Sequence, residues 1–265
     1  MNYKNKLILI TGSSSGIGKA AAMELGRKGA TIILQARDIN KLKSTANEII
    51  NAGGKAYYFS TDLTDIDDVE KTAYLIISEI GIPDIVINSA GSGEWLSFSE
   101  ASAKHYSSTM DSPYLATAYT CKVFYEKMKE RGNGHFIIIN SVASYFSFPG
   151  ATGYTAARWA LLGLTKSLQA DLHNTDFNVS LITLGKVDSP YFSNNPISED
   201  RIPKISNWLV PTMTMEASGI LIAKTVKSKK ETQIRPIILS ILVILNRFFP
   251  RLFNWLMRIT GYKSN

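Results

Sequence analysis

The sequence has a single cysteine, Cys121, among its 265 residues. One thiol cannot close a disulfide within the chain, and its isolation fits a reducing compartment. Charged residues make up only 19% of the chain and hydrophobic residues 45%. This composition argues against global disorder and supplies the core of one domain, with room for an appendage.

Long hydrophobic runs are also missing. The run from Leu7 to Ile10 is shorter than the ~7–15 apolar residues of a signal peptide, so it predicts a first strand. The run from Ile237 to Leu245 contains Ser240 and falls short of the roughly 20 residues that span a bilayer. The three histidines, His105, His135 and His173, have no acidic or cysteine partners at ligand spacing, so no metal site is predicted.

Acidic residues are scarce at one end of the chain. From Lys224 onward there are nine lysines and arginines but one acid, Glu231, whereas residues 1–223 are close to neutral. Nucleic-acid-binding proteins usually spread basic residues over a folded face or groove. Here they lie among large apolar residues, which favours a membrane surface as the partner and argues against nucleic acid.

A glycine-rich motif joins the first predicted strand to a helical pattern that runs through Lys28. It reads Gly12-Ser-Ser-Ser-Gly16-Ile-Gly18. Glycines let the backbone approach a pyrophosphate, and the free N–H groups at a helix start bind its charge. In this context the motif predicts nucleotide binding rather than an ordinary turn. The predicted contacts are Gly12, Ser14, Gly16, Ile17 and Gly18.

Apolar strands and helical patterns alternate along the rest of the chain. Further strands are predicted at 31–36, 55–60, 84–88, 136–139, 178–183 and 232–235, and one long helix at 104–131. This alternation predicts an α/β fold, a doubly wound, Rossmann-like parallel sheet covered on both faces, over residues 1–236. Residues 237–265 are predicted to form a C-terminal amphipathic helical tail.

Arg37 directly follows the second predicted strand, and the strand ends in Ala36 rather than an acid. An acid at this point would bind the 2′-hydroxyl of an adenosine ribose, whereas an arginine can pair with a 2′-phosphate. The sequence therefore favours NADP(H). The alternative is a solvated arginine beside Asp38.

The stretch from Ser141 to Lys166 carries the candidate chemistry. Ser141 stands at the end of a buried strand, and Tyr154 opens a helix with a regular apolar face. Arg158 follows Tyr154 by four residues, so the phenol and the guanidinium share a helix face. A serine facing a tyrosine beside a fixed positive charge can carry out acid–base chemistry on a carbonyl or alcohol.

These motifs together resemble the short-chain dehydrogenases/reductases. That family carries TGxxxGxG, NNAG and Tyr-x-x-x-Lys, and this chain reads TGSSSGIG at residues 11–18, NSAG at 88–91 and Tyr154-Thr-Ala-Ala-Arg158. The resemblance covers the whole predicted domain. It implies a catalytic group of Ser141, Tyr154 and Arg158.

The resemblance also assigns cofactor contacts. Asp62 and Leu63 would contact the adenine, and Asn88 would fix the central sheet. Ala90 and Gly91 would lie against the cofactor, which Tyr154 and Arg158 would also contact, Arg158 at its ribose. A segment that includes Val187 would close over the nicotinamide.

Two positions depart from the family pattern. Arg158 replaces the lysine, and Pro113 replaces an asparagine that supports a water in the family's proton relay. Because an arginine keeps its proton in proteins, a relay through this side chain is broken. Pro113 lacks an N–H and removes the relay's other support.

We therefore predict an NADP(H)-dependent oxidoreductase that interconverts a carbonyl and an alcohol on an apolar, lipid-like substrate. The alternative is a catalytically weak or silent NADP(H)-binding protein held at a membrane. Residues 190–211, rich in proline and aromatic residues, predict a substrate lid. The family's pairing through its long helices, here 104–131 and 153–174, implies a homodimer or homotetramer.

The tail combines basic and apolar residues. On one continuous helical wheel Arg247, Arg251, Asn254 and Arg258 fall in a narrow sector, and large apolar residues occupy the remainder. This predicts an in-plane membrane anchor that Pro250 kinks or restarts, and hence a cytoplasmic protein peripheral on a membrane. The alternative is a helix packed on a partner subunit or on its own domain.

Overall fold

The computed structural model describes residues 3–263. The strands are β1 Leu7–Thr11, β2 Thr31–Ala36, β3 Lys55–Ser60, β4 Ile85–Asn88, β5 Gly134–Ser141, β6 Phe177–Leu184, β7 Val187–Asp188, β8 Met213–Thr214 and β9 Thr232–Arg235. The helices are α1 Gly16–Arg27, α2 Ile39–Asn51, α3 Ile66–Glu79, α4 Ala103–Met110, α5 Ala116–Arg131, α6 Thr152–Asp171, α7 Pro190–Ser193, α8 Pro196–Glu199, α9 Lys204–Leu209, α10 Met215–Ser228, α11 Ile237–Phe248 and α12 Pro250–Thr260.

The main sheet has seven parallel strands in the order β3-β2-β1-β4-β5-β6-β9, and β7 pairs separately with β8. The order runs outward from β1 in one direction and from β4 in the other. A doubly wound sheet opens a crevice at this switch point, beside the carboxyl ends of the two strands. The predicted fold class is confirmed.

Alternating side chains of the strands bury two separate cores. In β1, Ile8 and Ile10 pack with residues of α1, α2 and α10 on one face of the sheet. Leu9 points to the other face and packs with residues of α3, α5 and α6. All three side chains are fully buried, and each such burial is worth about 1.5–3 kcal/mol. Helices packed on both faces of the sheet therefore fix the position of β1, whose carboxyl end borders the crevice.

The predicted single helix over 104–131 is wrong in its middle. The structure has α4, a π-type turn over Asp111–Leu115, and α5, and Ser112 within the turn has the non-helical angles φ −139°, ψ 119°. Pro113 has no N–H to donate to the preceding turn, and its ring pushes the residue before it toward extended backbone. Pro113, which stands where the family has an asparagine, therefore divides the helix.

The C-terminal segment folds as two helices, α11 and α12, that meet at 118°. The predicted restart at Pro250 is correct, since this proline occupies the first turn of α12. The prediction that Arg247 shares one continuous helix with Arg251, Asn254 and Arg258 is wrong. Arg247 belongs to α11, which ends at Phe248, and the other three residues belong to α12. Within residues 3–263 no single helix is long and apolar enough to cross a membrane, although this bent pair reaches that length and composition together.

Both helices pack on the domain. Val243 of α11 and Phe253 of α12 are buried with Phe146, whose ring centroid lies 5.7 Å from that of Phe253. Asn246 Nδ2 donates a hydrogen bond to the carbonyl of Tyr145 at 3.1 Å. The inner faces of α11 and α12 therefore cover the turn that follows β5.

His135 in β5 makes stability depend on pH. Its Nε2 pairs with Ser180 Oγ at 2.9 Å, its Nδ1 is buried without a partner, and burial lowers its pKa to about 4. The unfolded chain, with a histidine pKa near 6.5, binds a proton that the folded chain does not. The stability due to neutral burial is therefore present above about pH 6.5 and is lost as the pH falls to 4.

We expect this residue to account for about 3 kcal/mol of lost unfolding free energy at pH 4. Urea titrations of His135→Gln should show a shallower fall between pH 7 and 4 than the native chain. His173→Gln, at an exposed position, should keep the native slope. Equal slopes for the native chain and His135→Gln would contradict the assignment.

Candidate active site

A cleft of about 1020 Å³ lies at the carboxyl edge of the main sheet. All but one of the predicted site residues line it: Gly12, Ser14, Gly16, Ile17, Gly18, Arg37, Asp62, Leu63, Ala90, Gly91, Ser141, Tyr154, Arg158 and Val187. The exception is Asn88, which lies beneath the cleft at the end of β4, where its Nδ2 contacts Cys121 Sγ at 3.3 Å. The fold therefore gathers residues from seven separate segments at one place.

The glycine loop requires glycine at several points. Gly12 and Gly16 have φ values of +64° and +56°, in the left-handed region. A Cβ at Gly18 would lie 2.4 Å from the Gly12 carbonyl oxygen. The first residues of α1 line the cleft, and its first turn contains no acid. The helix start therefore offers N–H groups and a positive dipole end to an anion.

Two hydroxyls brace this loop. Thr11 Oγ1 accepts hydrogen bonds from the backbone N–H groups of Ser89 and Ala90 at 3.1 and 3.2 Å. Ser13 Oγ accepts from the N–H of Gln35 at 2.9 Å. The glycine loop is thus tied to the ends of both β4 and β2. These contacts were not predicted, because a threonine or serine in such a loop has no distinguishing local pattern.

Arg37 and the adjacent Asp38 do not pair with each other. Asp38 caps α2 by accepting from the N–H of Lys41 at 3.0 Å, and Lys41 Nζ lies 3.5 Å from the same carboxylate. The guanidinium of Arg37 is exposed at the rim of the cleft, as the alternative of a solvated arginine expects, and it forms no hydrogen bond or ion pair with any other residue of 3–263. Lys41, which the sequence analysis missed, also lines this end of the cleft.

Asp62 stands opposite these basic residues. Its Oδ1 accepts from the hydroxyl and the N–H of Thr64 at 2.7 and 3.0 Å. These hydrogen bonds, with a smaller contribution from the charge of Arg37, hold the pKa of Asp62 below its usual value. The carboxylate is therefore ionised and fixed in position at neutral pH.

Tyr154 and Arg158 meet on one face of α6. Both are buried, with 5% and 8% of their surfaces exposed, and Arg158 Cζ lies 5.0 Å from the centroid of the phenol ring. Arg158 Nη1 makes one long hydrogen bond, 3.4 Å to the Ile139 carbonyl, and Nε has no partner in the described chain. The expectation that the phenol and guanidinium share one space is met.

Gly91 makes room for this guanidinium. A Cβ at Gly91 would lie 2.8 Å from Arg158 Nη2. Ser141, at the end of β5, lines the same cleft, and its Oγ accepts from the N–H of Ala143 at 3.2 Å. The hydroxyl hydrogen of Ser141 is therefore available to a ligand.

Asn140 connects the two elements that carry the candidate catalytic residues. Its Nδ2 donates to the Arg158 carbonyl at 3.1 Å, and its Oδ1 accepts from the N–H of Ser141 at 2.8 Å. The side chain is buried. It fixes α6 against the end of β5 and was not predicted, although its place directly before Ser141 is a usable signal.

Two further aromatic residues enclose Tyr154. The Trp95 ring centroid lies 5.1 Å from that of Tyr154, and Trp95 Nε1 donates to Tyr191 Oη at 3.0 Å. Tyr191 Oη in turn donates to the Gly93 carbonyl at 2.7 Å, and burial raises the pKa of this phenol. Tyr191 therefore stays protonated beside Tyr154 and holds the lid residues 190–211 against the loop after β4.

A second network ties the lid residues 190–211 to the loop before α4 and to the end of the chain. Arg201 of the lid pairs with Glu100, with Nη2 2.9 Å from Oε1, and Tyr262 Oη donates to the same oxygen at 3.0 Å. The bonds from Arg201 and Ser97 hold the pKa of Glu100 well below its usual range. One carboxylate thus joins the loop before α4, the lid and the chain after α12.

The C-terminal helices form part of the cleft wall. The residues that line it from this side are Leu239, Leu242, Phe253, Leu256 and Met257. A Cβ at Gly185 would lie 2.8 Å from Leu239 Cδ1, so α11 lies directly on the loop that follows β6. The alternative that the tail packs on its own domain is therefore met by the inner faces of α11 and α12, whereas an apolar helix face in the sequence does not identify what it packs against.

Comparison with known proteins identifies the family. The family model described as short chain dehydrogenase matches residues 6–200. The chain belongs to the short-chain dehydrogenases. The matched residues include the glycine loop, Ser141, Tyr154 and Arg158.

Several relatives of this short-chain dehydrogenase are oxidoreductases by name. An uncharacterized oxidoreductase of Mycobacterium bovis is 33% identical over 208 residues, which cover 77% of this chain and 61% of the relative. A 3-dehydrosphinganine reductase of Danio rerio is 31% identical over 191 residues, 70% of this chain and 58% of the relative. The matches thus span about three fifths of these relatives' lengths.

Solved structures share the fold. An alcohol dehydrogenase from the archaeon Thermococcus sibiricus, complexed with 5-hydroxy-NADP, aligns over 86% of this chain and 95% of its own with a TM-score of 0.75 and 25% identity. A short-chain dehydrogenase/reductase from Burkholderia phymatum, in complex with NAD, aligns over 100% and 99% with a TM-score of 0.84 and 20% identity. Among residues 3–263 of this short-chain dehydrogenase, no group of three or more His, Cys, Asp or Glu could hold a metal ion.

The Glu100 network predicts a measurable change in local order. Glu100→Gln removes the charge that Arg201 and Tyr262 share, so the lid and the end of the chain should open more often. Hydrogen exchange should become at least about tenfold faster in residues 196–204 and 256–263. Glu79→Gln, at an exposed position on α3, is the control. Unchanged exchange in both segments would show that the network does not hold them.

Proposed function

We propose that this chain is an NADP(H)-dependent oxidoreductase that interconverts a carbonyl and an alcohol on an apolar, lipid-like substrate. The observation that carries the proposal is the stacking of Arg158 on Tyr154 in the cleft that also contains Ser141 and the glycine loop. This places a proton donor, a fixed cation and a hydroxyl donor around one space.

The cleft fits a nicotinamide dinucleotide. Left-handed Gly12 and Gly16, at the start of α1, suit a pyrophosphate. The buried Nε of Arg158, which lacks a partner in the described chain, suits a ribose hydroxyl. Such a cofactor, when bound, supplies or accepts a hydride. The 5-hydroxy-NADP in the archaeal neighbour supports this class of ligand.

The phosphorylated form of the cofactor is favoured by charge. Arg37 has no competing ion pair within residues 3–263, and Lys41 lies at the same end of the cleft. A 2′-phosphate would meet the guanidinium of Arg37 there, with the Lys41–Asp38 pair beside it, whereas a 2′-hydroxyl would meet no acid at Ala36, where β2 ends. We therefore propose NADP(H) over NAD(H).

The acid–base chemistry follows from three side chains. Ser141 donates its free hydroxyl hydrogen to the substrate oxygen, since its Oγ already accepts from Ala143. Tyr154 gives that oxygen a proton in reduction and takes one in oxidation. Arg158, 5.0 Å from the ring, stabilises the phenolate that results. Because an arginine keeps its proton, the proton that returns to Tyr154 does not pass through Arg158.

The substrate end of the cleft is apolar. Beyond Tyr154 it is lined by Trp95, Phe148, Phe192, Leu242, Phe253 and Met257. Such a wall binds hydrocarbon by excluding water, while Ser141 and Tyr154 select the oxygen. The name of the zebrafish relative, 3-dehydrosphinganine reductase, supports a reaction of the reductase type.

We further propose that pairing through α5 and α6 produces the homodimer or homotetramer expected from the family.

Cofactor preference provides the first test. NADPH should bind at least about tenfold more tightly than NADH, because one charge-assisted hydrogen bond contributes about 1.5–3 kcal/mol. Arg37→Asp should reverse the order, since it places a carboxylate where the phosphate would bind. Fluorescence titration measures both constants, with Lys43→Asp, at an exposed position on α2, as the control. Equal affinities in the native chain would contradict the proposal.

Removal of the phenol hydroxyl of Tyr154 provides the second test of the proposed function. Tyr154→Phe should lower kcat by about 10²-fold or more, the usual contribution of a positioned acid, and leave NADPH affinity within about twofold. Tyr74→Phe, at a position 73% exposed on α3, should keep full activity. Full activity in Tyr154→Phe would show that another group is the acid. Tight NADPH binding without hydride transfer to any carbonyl tested would favour the alternative, a silent NADP(H)-binding protein.

A further inference from the structure

The outer faces of α11 and α12 are apolar. Of the 21 large hydrophobic residues that are exposed in residues 3–263, nine lie in this short segment. They are Ile237, Ile241, Ile244, Leu245, Phe248, Phe249, Leu252, Trp255 and Ile259. Scattered exposed apolar residues are ordinary, but a contiguous set on two adjoining helices marks an interaction surface.

Helix α12 has three distinct faces. Phe253, Leu256 and Met257 point inward and line the cleft. Leu252, Trp255 and Ile259 occupy the outer face and are 50%, 55% and 49% exposed. A single helix therefore separates the apolar end of the cleft from an apolar surface.

The third face of α12 is basic. Arg251, Asn254 and Arg258 repeat at helical spacing beside the outer apolar face, and all are exposed. The sequence has no acid after Glu231. Apolar residues with a tryptophan, bordered by arginines, form the surface that a helix lying in the plane of a membrane presents to anionic lipid.

A second copy of the chain fits this face less well. In a two-fold symmetric pair the same patch meets itself, so the arginines of one copy would approach those of the other. The segment offers no acid to neutralise them. An anionic bilayer supplies both the hydrocarbon and the negative charge, so the chemistry favours lipid.

The two helices are held in place. The carbonyl of Tyr145 fixes Asn246 at the end of α11, and Glu100 fixes Tyr262 just beyond α12. Trp208, 84% exposed, lies on α9, which packs against α12. A membrane bound at the outer face would therefore lie at a fixed position relative to Tyr154.

We propose that α11 and α12 form a membrane-docking surface that lies flat on an anionic bilayer. Through this surface the cleft takes a lipid carbonyl compound directly from the hydrocarbon phase. The docking itself stands on the surface described here, and the identity of the cargo rests on the proposed function. An apolar chain that enters between the inner faces of these helices and the cleft wall does not have to cross water.

The first experiment tests docking without any activity. Full-length protein is floated with phosphatidylcholine vesicles, with and without phosphatidylglycerol, at low and high salt. We expect binding to the anionic vesicles that high salt reduces but does not abolish, because salt screens the arginines and not the apolar face. Leu252→Glu/Ile259→Glu should lower the partition coefficient at least tenfold. Ile39→Glu/Ile50→Glu on α2, at positions 43% and 50% exposed, should leave it unchanged.

A second measurement locates the contact. Lipids brominated in the acyl chain should quench part of the tryptophan fluorescence, and Trp255→Phe should remove most of that quenching. Trp159→Phe, at a position 48% exposed on α6, should not. Quenching that survives Trp255→Phe and is lost in Trp159→Phe would overturn the proposed orientation.

Activity assays separate this proposal from the proposed function. The Leu252→Glu/Ile259→Glu protein should bind NADPH and reduce a short soluble ketone as the native chain does, but should lose at least tenfold in rate on a long-chain ketone dissolved in vesicles. If the native chain reduces the soluble ketone but does not bind vesicles, the membrane-docking surface is refuted and the proposed function is not. Vesicle binding with no reduction of either ketone would refute the proposed function and leave the docking supported. If the native chain is a dimer, the variant is a monomer and neither binds vesicles, the outer faces of α11 and α12 pair two copies of the chain instead.

Discussion

Arg158 carries a positive charge in a buried position, and the active site depends on how that charge is accommodated. It is 8% exposed and has no acidic partner within residues 3–263. An uncompensated buried charge costs several kcal/mol, so the contacts that remain are decisive. The phenol ring of Tyr154 stacks on the guanidinium, the Ile139 carbonyl accepts one N–H, and Gly91 leaves space for it. The charge is thereby held 5.0 Å from the centroid of the phenol ring.

The position of that charge is set by the sheet. Thr11 Oγ1 accepts hydrogen bonds from the N–H groups that follow β4, so the glycine loop and the Gly91 loop are joined at the switch point between β1 and β4. Asn140 ties the main chain at Arg158 to the end of β5. The glycine loop, Arg158 and Ser141 are therefore fixed relative to each other by hydrogen bonds within a parallel sheet whose two faces are buried.

The outer half of the site is assembled from segments far apart in the chain. Glu100, Arg201 and Tyr262 meet at one carboxylate, and Trp95 meets Tyr191. These bonds place the lid and α12 over an apolar cleft. They also make α12 a structural part of the site, so its inner and outer faces have different environments although both are apolar.

Local sequence determined the strands, the glycine loop and the Tyr154–Arg158 pair, because the periodicity of side chains and the spacing of residues on a helix are set within a few residues. The break at Ser112 follows from Pro113 by the same local rule, but the helical pattern on both sides masked it. Only the tertiary structure decided that α11 and α12 would line the cleft and that Glu100 would join Arg201 and Tyr262, 101 and 162 residues away. An apolar periodicity shows that a helix face is to be covered; what covers it depends on how the whole chain packs.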